Sequence, residues 1–320
     1  MKCFITGIII VLPFVPGRIA FSIPTNPDID TNSTHQESVC CEENFPDLYL
    51  NNPYMQSPEV LEIQEALAML GFYQGNMSGE YDEDTAFAVL SFQKKIGLAT
   101  DGQVKYHVWL KLAKALEDNA AAKTTMSPPT GDVSVIIDTF RRKLIVLNDN
   151  TPYAQFPIAI GKAETPSPIG NWKVINKRMN WGSGFGTRWL GLNVPWGVYG
   201  IHGTNKPWSI GSMASHGCFR MWNKNVEIIY PWIKNNTPVT VIGNPFGYMS
   251  GGLQTLNAGD KGSAVLYVQE KLKRLGFYEG VPDGIYGQQT EKAVFRLQEY
   301  YKLEKTGQIG FKEYTALKLW

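Results

Sequence analysis

Ile63-Gln-Glu-Ala-Leu-Ala-Met-Leu-Gly-Phe-Tyr-Gln-Gly75 and Val268-Gln-Glu-Lys-Leu-Lys-Arg-Leu-Gly-Phe-Tyr-Glu-Gly280 are two copies of one pattern, 205 positions apart. The match continues without a gap through Gly79/Gly284, Tyr81/Tyr286, Thr85/Thr290, Ala88/Ala293, Val89/Val294, Gln93/Gln298 and Gly102/Gly307. Two copies separated by an insert imply two like domains flanking a different one. Val60, Ile63, Leu67 and Leu70 fall on one face of a helix, and Val265, Val268, Leu272 and Leu275 repeat that face. Gly71 and Gly276 are expected to stop the helix. Thr85 and Thr290 are expected to cap a second. A third would carry Trp109 and Leu112 in one copy, and Tyr314 and Leu317 in the other.

Outward from the repeats, the 320 residues divide into an expected order. Residues 1–22 read as an export signal: Lys2, an apolar run from Ile5 to Val15 broken by Pro13, then small residues at Ala20 and Ser22. A retained anchor is the alternative. A polar linker is expected over 23–54, a three-helix domain over 55–117 and a second linker over 118–131. The central domain is expected over 132–244, a third linker over 245–257 and the second three-helix domain over 258–320. No other segment is long and apolar enough to cross a bilayer, so no stable membrane insertion is expected after signal cleavage. The formal net charge of +1 gives no electrostatic pull toward nucleic acid.

The central segment reads as strands: Val133 to Ile137, Leu144 to Leu147, Phe156 to Ile160, Trp172 to Ile175, Thr187 to Leu190, Val198 to His202 and Val239 to Ile242. One short helix fits between Val226 and Ile233, with Asn225 as its cap and Pro231 as a break. The fold class is therefore multidomain: a mainly-β sandwich or curled sheet with one short helix, between two small three-helix bundles.

Four cysteines are present: Cys3, Cys40, Cys41 and Cys218. Cys3 would leave with the signal, and the pairing state of the adjacent Cys40 and Cys41 is open. Cys218 has no obvious disulfide partner, which in an oxidising compartment marks it as buried or used. It lies in Ser215-His-Gly-Cys-Phe-Arg-Met-Trp-Asn223, after Tyr199-Gly-Ile-His-Gly-Thr204 and a loop of twelve residues. Such a loop can return a cysteine to a strand-end histidine, and a nearby imidazole can take the thiol proton. Gly217 permits a tight backbone, and backbone N–H groups there could face an oxyanion. Arg220 can grip a carboxylate, while Ser215 and Asn223 suit loop-fixing hydrogen bonds. His202, His216 and Cys218 could instead ligate zinc, but a fourth ligand is not obvious nearby, so neither metal nor cofactor is expected. His35 and His107 read as solvated or structural.

The His-Gly-Thr and Ser-His-Gly-Cys-x-Arg-Met-x-Asn segments resemble the signature of the YkuD-type L,D-transpeptidases. The resemblance extends to Ile160-Gly161-Lys162, to Thr165-Pro-x-Pro-x-Gly170 and to Phe185-Gly-Thr-Arg-Trp-Leu-Gly191. It implies Cys218 as nucleophile and His202 as general base. His216, Gly217 and Arg220, with Ser215, Asn223, Gly203 and Thr204, are implied as substrate-binding or supporting residues. Asn225 stands where many relatives carry an acidic residue. The implied reaction is acyl transfer through a cysteine thioester, with release of a terminal D-alanine and 3→3 cross-linking of tetrapeptide stems, donor and acceptor alike. Hydrolysis at the same site, an L,D-carboxypeptidase, is the alternative, and a non-catalytic wall-binding protein is the other. The repeats resemble the peptidoglycan-binding domain of bacterial wall hydrolases. The second copy, with Asp283-Gly284 and Gly287-x-x-Thr290, is the nearer match, and the first departs at Ser78 and Asp82. The implied partner is peptidoglycan, the expected place is outside the cytoplasm, in the wall or periplasm, and the expected assembly is a monomer.

Overall fold

The computed structural model describes residues 45–121, 126–247 and 253–319, which all fall in one compact unit. The expected signal lies outside the described residues, as do His35, Cys40 and Cys41. The first repeat forms α1 (Pro58–Met69), α2 (Glu83–Lys95) and α3 (Tyr106–Ala121). The second forms α5 (Ser263–Arg274), α6 (Gln288–Tyr300) and α7 (Phe311–Ala316). In each, the apolar faces close on one another: Val60, Ile63 and Leu67 meet Val89, Phe92, Trp109 and Leu112, and Val265, Val268 and Leu272 meet Val294, Leu297 and Tyr314. Gly71 and Gly276, at φ +80 and +83, follow the first helix of each bundle in the left-handed region.

The repeated polar residues are the bundles' internal ties. Gln269 accepts from the Gly284 N–H at 2.7 Å and donates to Ile285 O (3.0 Å) and Thr290 Oγ1 (2.9 Å). Gln64 repeats this with Gly79, Glu80 and Thr85. Gln93 and Gln298 hold Gly102 and Gly307 in the same way, and Tyr81 and Tyr286 each donate to those glycines' carbonyls at 2.8 Å. Thr85 and Thr290 therefore serve as buried partners of glutamines and do not cap. The cap of α2 is Asp82, whose carboxylate accepts from the Thr85 N–H at 2.8 Å, and that of α6 is Gly287. The first copy's departure at Asp82 thus supplies a side-chain cap that its counterpart lacks.

The central domain has β1 (Val133–Asp138), β2 (Lys143–Asn148), β3 (Thr151–Pro157), β4 (Ile160–Gly161), β5 (Gly170–Met179), β6 (Arg188–Leu192), β7 (Tyr199–His202), β8 (Met213–Ser215), β9 (Phe219–Arg220), α4 (Asn223–Ile229) and β10 (Pro238–Ile242). One sheet runs in the order β3-β2-β1-β10-β5-β6-β7-β9, and β4 pairs with β8 apart from it. The β1–β10 and β7–β9 pairs are parallel. Phe156 on β3 and Phe219 on β9, at opposite ends of that order, share one apolar cluster with Val226, Ile229 and Ile233, so the sheet curls around the helix.

Three local expectations need correction. The strand expected over Phe156–Ile160 is β3, which starts early, at Thr151, because Asp149 and Asn150, at φ +51 and +63, turn the chain there; it ends at Pro157, and Ile160 falls in β4. Helix α4 starts at Asn223 after Trp222, and Asn225 is a buried helical residue, not its cap. The stretches read as linkers are partly built into the fold. Leu48 pairs with Val104 and is 1% exposed, and α3 continues through Ala121.

Both bundles dock on the central domain. Trp208, in a one-turn helix after β7, is buried in the first bundle's core with its ring 5.1 Å from that of Trp109. Its indole N–H donates to Glu62, which also pairs with Lys206, each at 3.2 Å. On the other side Leu266 of α5 joins the central core, and the Ile169 N–H donates to Ser263. The Trp196 ring lies against Gly284, where a β-carbon would come within 2.3 Å of it.

Candidate active site

The parallel pairing of β7 with β9 sets Ile201 beside Phe219 and His202 beside Arg220. Ile201 and Phe219 point into the core. Side chains alternate along strands, so His202, Arg220 and Cys218, two residues before Arg220, share the opposite face. Met221 N–H closes the pair by donating to the His202 carbonyl at 2.8 Å. Cys218 is a half-buried thiol, His202 is fully buried and His216 is exposed.

Aromatic rings hold the His202 imidazole. Trp189, its β6 partner, stacks on it at 5.6 Å and 25°, and Phe185 meets it edge-on at 5.1 Å. Trp181 and Phe185 stack at 4.9 Å behind them. Gly200 makes room: a β-carbon there would lie 2.7 Å from the Trp189 ring. Nδ1 of His202 donates to the neighbouring Gly203 carbonyl, which assigns the proton to Nδ1 and leaves Nε2 as an acceptor. Nε2 is buried with no hydrogen-bond partner among the described residues. Burial first, then the Arg220 guanidinium, pushes the His202 pKa down to about 3 against the opposing Gly203 contact, so the ring is neutral. The pKa of His216 is drawn below the ordinary value by partial desolvation, then by Lys162 and Arg220.

The Cys218 loop is fixed from within. Ser215 Oγ donates to the Cys218 carbonyl at 2.6 Å and accepts from the Gly217 N–H at 3.0 Å. The Ser215 carbonyl accepts from Lys162 N–H (2.9 Å) and Thr165 Oγ1 (3.1 Å), so the Ile160–Thr165 segment braces the loop. The N–H of Gly217 is committed to Ser215 and that of Arg220 to the Ala159 carbonyl, so neither faces a substrate oxyanion. Gly217, at φ +113, is required by the Tyr199 ring, which a β-carbon would approach to 2.6 Å. Its missing side chain therefore serves packing against Tyr199.

Asn223 sits behind His202. Its Oδ1 accepts from the Thr187 N–H at 3.0 Å, and its Nδ2 donates to the Thr204 carbonyl at 2.8 Å. β-Carbons at Gly186 and Gly203 would each fall within 2.2 Å of that Oδ1, so both positions must lack one. Thr204 is fully buried, and its Oγ1 accepts from the Lys206 N–H. The expected site residues thus gather around one face, except that Gly203, Thr204 and Asn223 lie behind the imidazole, not beside the thiol. Trp189 stands in the quoted Phe185–Gly191 segment, whereas Glu62, Glu117 and Trp208 were not singled out from sequence. Their partners are remote in the chain, and no local spacing marks them. Among the described residues no three His, Cys, Asp or Glu side chains group as metal ligands.

A curled β domain with this cysteine–histidine face, set between two repeat bundles, defines a catalytic domain of L,D-transpeptidase type carrying wall-binding modules. A profile of the YkuD L,D-transpeptidase catalytic domain matches residues 132–241, and a peptidoglycan-binding-domain profile matches residues 56–112 and 261–317. The L,D-transpeptidase YkuD of Bacillus subtilis is 32% identical over 164 residues, covering 48% of this chain and 99% of that protein. Its namesake in Bacillus licheniformis is 36% identical over 115 residues, covering 36% of this chain and 68% of the relative. Among solved structures, an L,D-transpeptidase from Xylanimonas cellulosilytica is 25% identical with a TM-score of 0.30, covering 62% of this chain and 98% of that one. The chain belongs to the YkuD L,D-transpeptidase family, its catalytic domain flanked by two peptidoglycan-binding domains.

Proposed function

We propose that this protein is a cysteine-dependent L,D-transpeptidase that forms 3→3 cross-links between peptidoglycan stems. The observation that carries the reading is the neutral His202 imidazole. Its Nδ1 proton is tied to Gly203, and its Nε2 lone pair is unused on the strand face that Cys218 shares.

In the proposed cycle, His202 Nε2 accepts the Cys218 proton as the sulfur attacks the carbonyl of the diamino acid's L-centre in a tetrapeptide stem. The S–C bond forms, the C–N bond to the terminal D-alanine breaks, and the leaving amine takes the proton from His202. The side-chain amine of a neighbouring stem then attacks the thioester and gives a proton to His202. The new amide forms, the S–C bond breaks and the thiol regains its proton. Because burial disfavours the imidazolium, the resting pair is thiol and imidazole, and the proton moves with the attack. Lys162 and Arg220 supply positive charge around His216, two residues before the nucleophile, suited to a stem carboxylate.

Two peptidoglycan-binding domains beside the catalytic one support peptidoglycan as the substrate and a place outside the cytoplasm. The export-signal reading of residues 1–22 agrees with that. No helix among the described residues is long and apolar enough to cross a membrane. A carbapenem, an acylating mimic of the donor, tests the nucleophile. Intact-protein mass spectrometry should show one adduct, mapped to Cys218 and lost in Cys218→Ala. An unmodified wild-type protein would defeat the reading.

A further inference from the structure

The first helical bundle reaches the back of the active site through one carboxylate. Glu117 on α3 accepts from Asn223 Nδ2 at 2.6 Å and from the Asn223 N–H at 3.4 Å, across 106 residues of chain. Beside it, Asp118 pairs with Lys224 at 2.8 Å. The same Asn223 amide holds the Thr187 N–H, two residues after Phe185, and the Thr204 carbonyl, next to Gly203. Gly203 carries the carbonyl that fixes the His202 proton on Nδ1, and Phe185 packs on the imidazole. An amide side chain can be rotated end for end, exchanging its donor and acceptor. Both Thr204 O and Glu117 Oε1 demand the NH2 on one side, and the Thr187 N–H demands the oxygen on the other. The glycines at 186 and 203 leave the space that this oxygen fills.

We infer that Glu117 is a positioning residue for the transfer reaction: it sets the orientation of Asn223 and through it the His202 tautomer and ring plane. The first bundle is then a structural part of the active site as well as a wall-binding module. The inference rests on the reading of His202 as the base, but its geometric half can be measured without turnover.

The test uses the full chain with E117A, E117D and E117Q. The readouts are nitrogen NMR of the His202 ring, hydrogen exchange at the Thr187 amide, and kcat and KM on disaccharide-tetrapeptides. Gln keeps an oxygen acceptor for Asn223, whereas Asp keeps the charge but withdraws it by one methylene. Expected in E117A and E117D are a mixed His202 tautomer, Thr187 exchange faster by about tenfold, and kcat lower by about tenfold at unchanged KM, the size of one lost hydrogen bond to a charged group. E117Q should match wild type in all three. An unaltered His202 signal and Thr187 exchange in E117D would overturn the inference, as would an E117Q as impaired as E117A. Should E117A fail to fold, E117D against E117Q decides. Absence of turnover in wild type, with the NMR and exchange changes present, would count against the catalytic reading and leave the positioning intact.

Discussion

The imidazole of His202 lies 5.6 Å from the indole of Trp189 and within 25° of parallel to it, on paired positions of adjacent strands. This stacking, with Phe185 at the ring edge, is what removes the histidine from water. A ring so enclosed is held neutral, and its linkage to folding has a definite sign.

The folded His202 pKa of about 3 lies below its ordinary 6.5, so between those values the unfolded chain binds more protons. Stability from this group is complete above pH ~6.5 and falls as the pH drops toward ~3, by an amount of order 5 kcal/mol. Urea denaturation of wild type and His202→Gln across that window should show the steeper acid loss in wild type. Parallel profiles would show that His202 is not the buried titrating group.

Trp208 buries its indole in a core belonging to another domain. Truncation to Ala removes the contact with Trp109 and the hydrogen bond to Glu62, a loss of about 3–5 kcal/mol by the usual cost of large buried aromatics. In Trp208→Ala, calorimetry is expected to split one transition into two, the first bundle melting ahead of the catalytic domain. A single unshifted transition would show that the two do not depend on this contact.

Gln269 accepts from the Asp283 and Gly284 N–H groups and donates to the Ile285 carbonyl in the 283–290 turn. Gln269→Leu keeps the volume but strands those groups, at about 1–3 kcal/mol. That turn carries Gly284 against Trp196, so the variant should also expose Trp196, read as a red shift in tryptophan fluorescence. An unchanged emission maximum with lowered stability would confine the effect to the bundle.

The helices of both bundles are legible because their apolar residues recur at helical spacing, and Ile63, Leu67, Val268 and Leu272 all reach the cores. The wide strands are legible from runs such as Val133–Ile137. The two-residue strands β4 and β9 are not, since no period can show in so short a span. Asn225 misleads because its residue type favours caps, while its position one turn into a buried face decides its place. At the site, Cys218, His202, Ser215 and Asn223 stand in two short segments and could be picked out together. Glu117 and Trp208 could not. The carboxylate acts on a residue 106 positions away, and the indole bonds one 146 positions away, so only the folded chain brings these partners together.

The most direct measurement is of the products formed from purified disaccharide-tetrapeptides by the wild-type chain and by Cys218→Ala, identified by mass. Expected from wild type are cross-linked dimers with one D-alanine released per link, and from the variant unchanged tetrapeptide at undiminished binding to insoluble wall. Dimers at the same yield from Cys218→Ala would contradict the account, and tripeptide alone from wild type would make the enzyme a hydrolase.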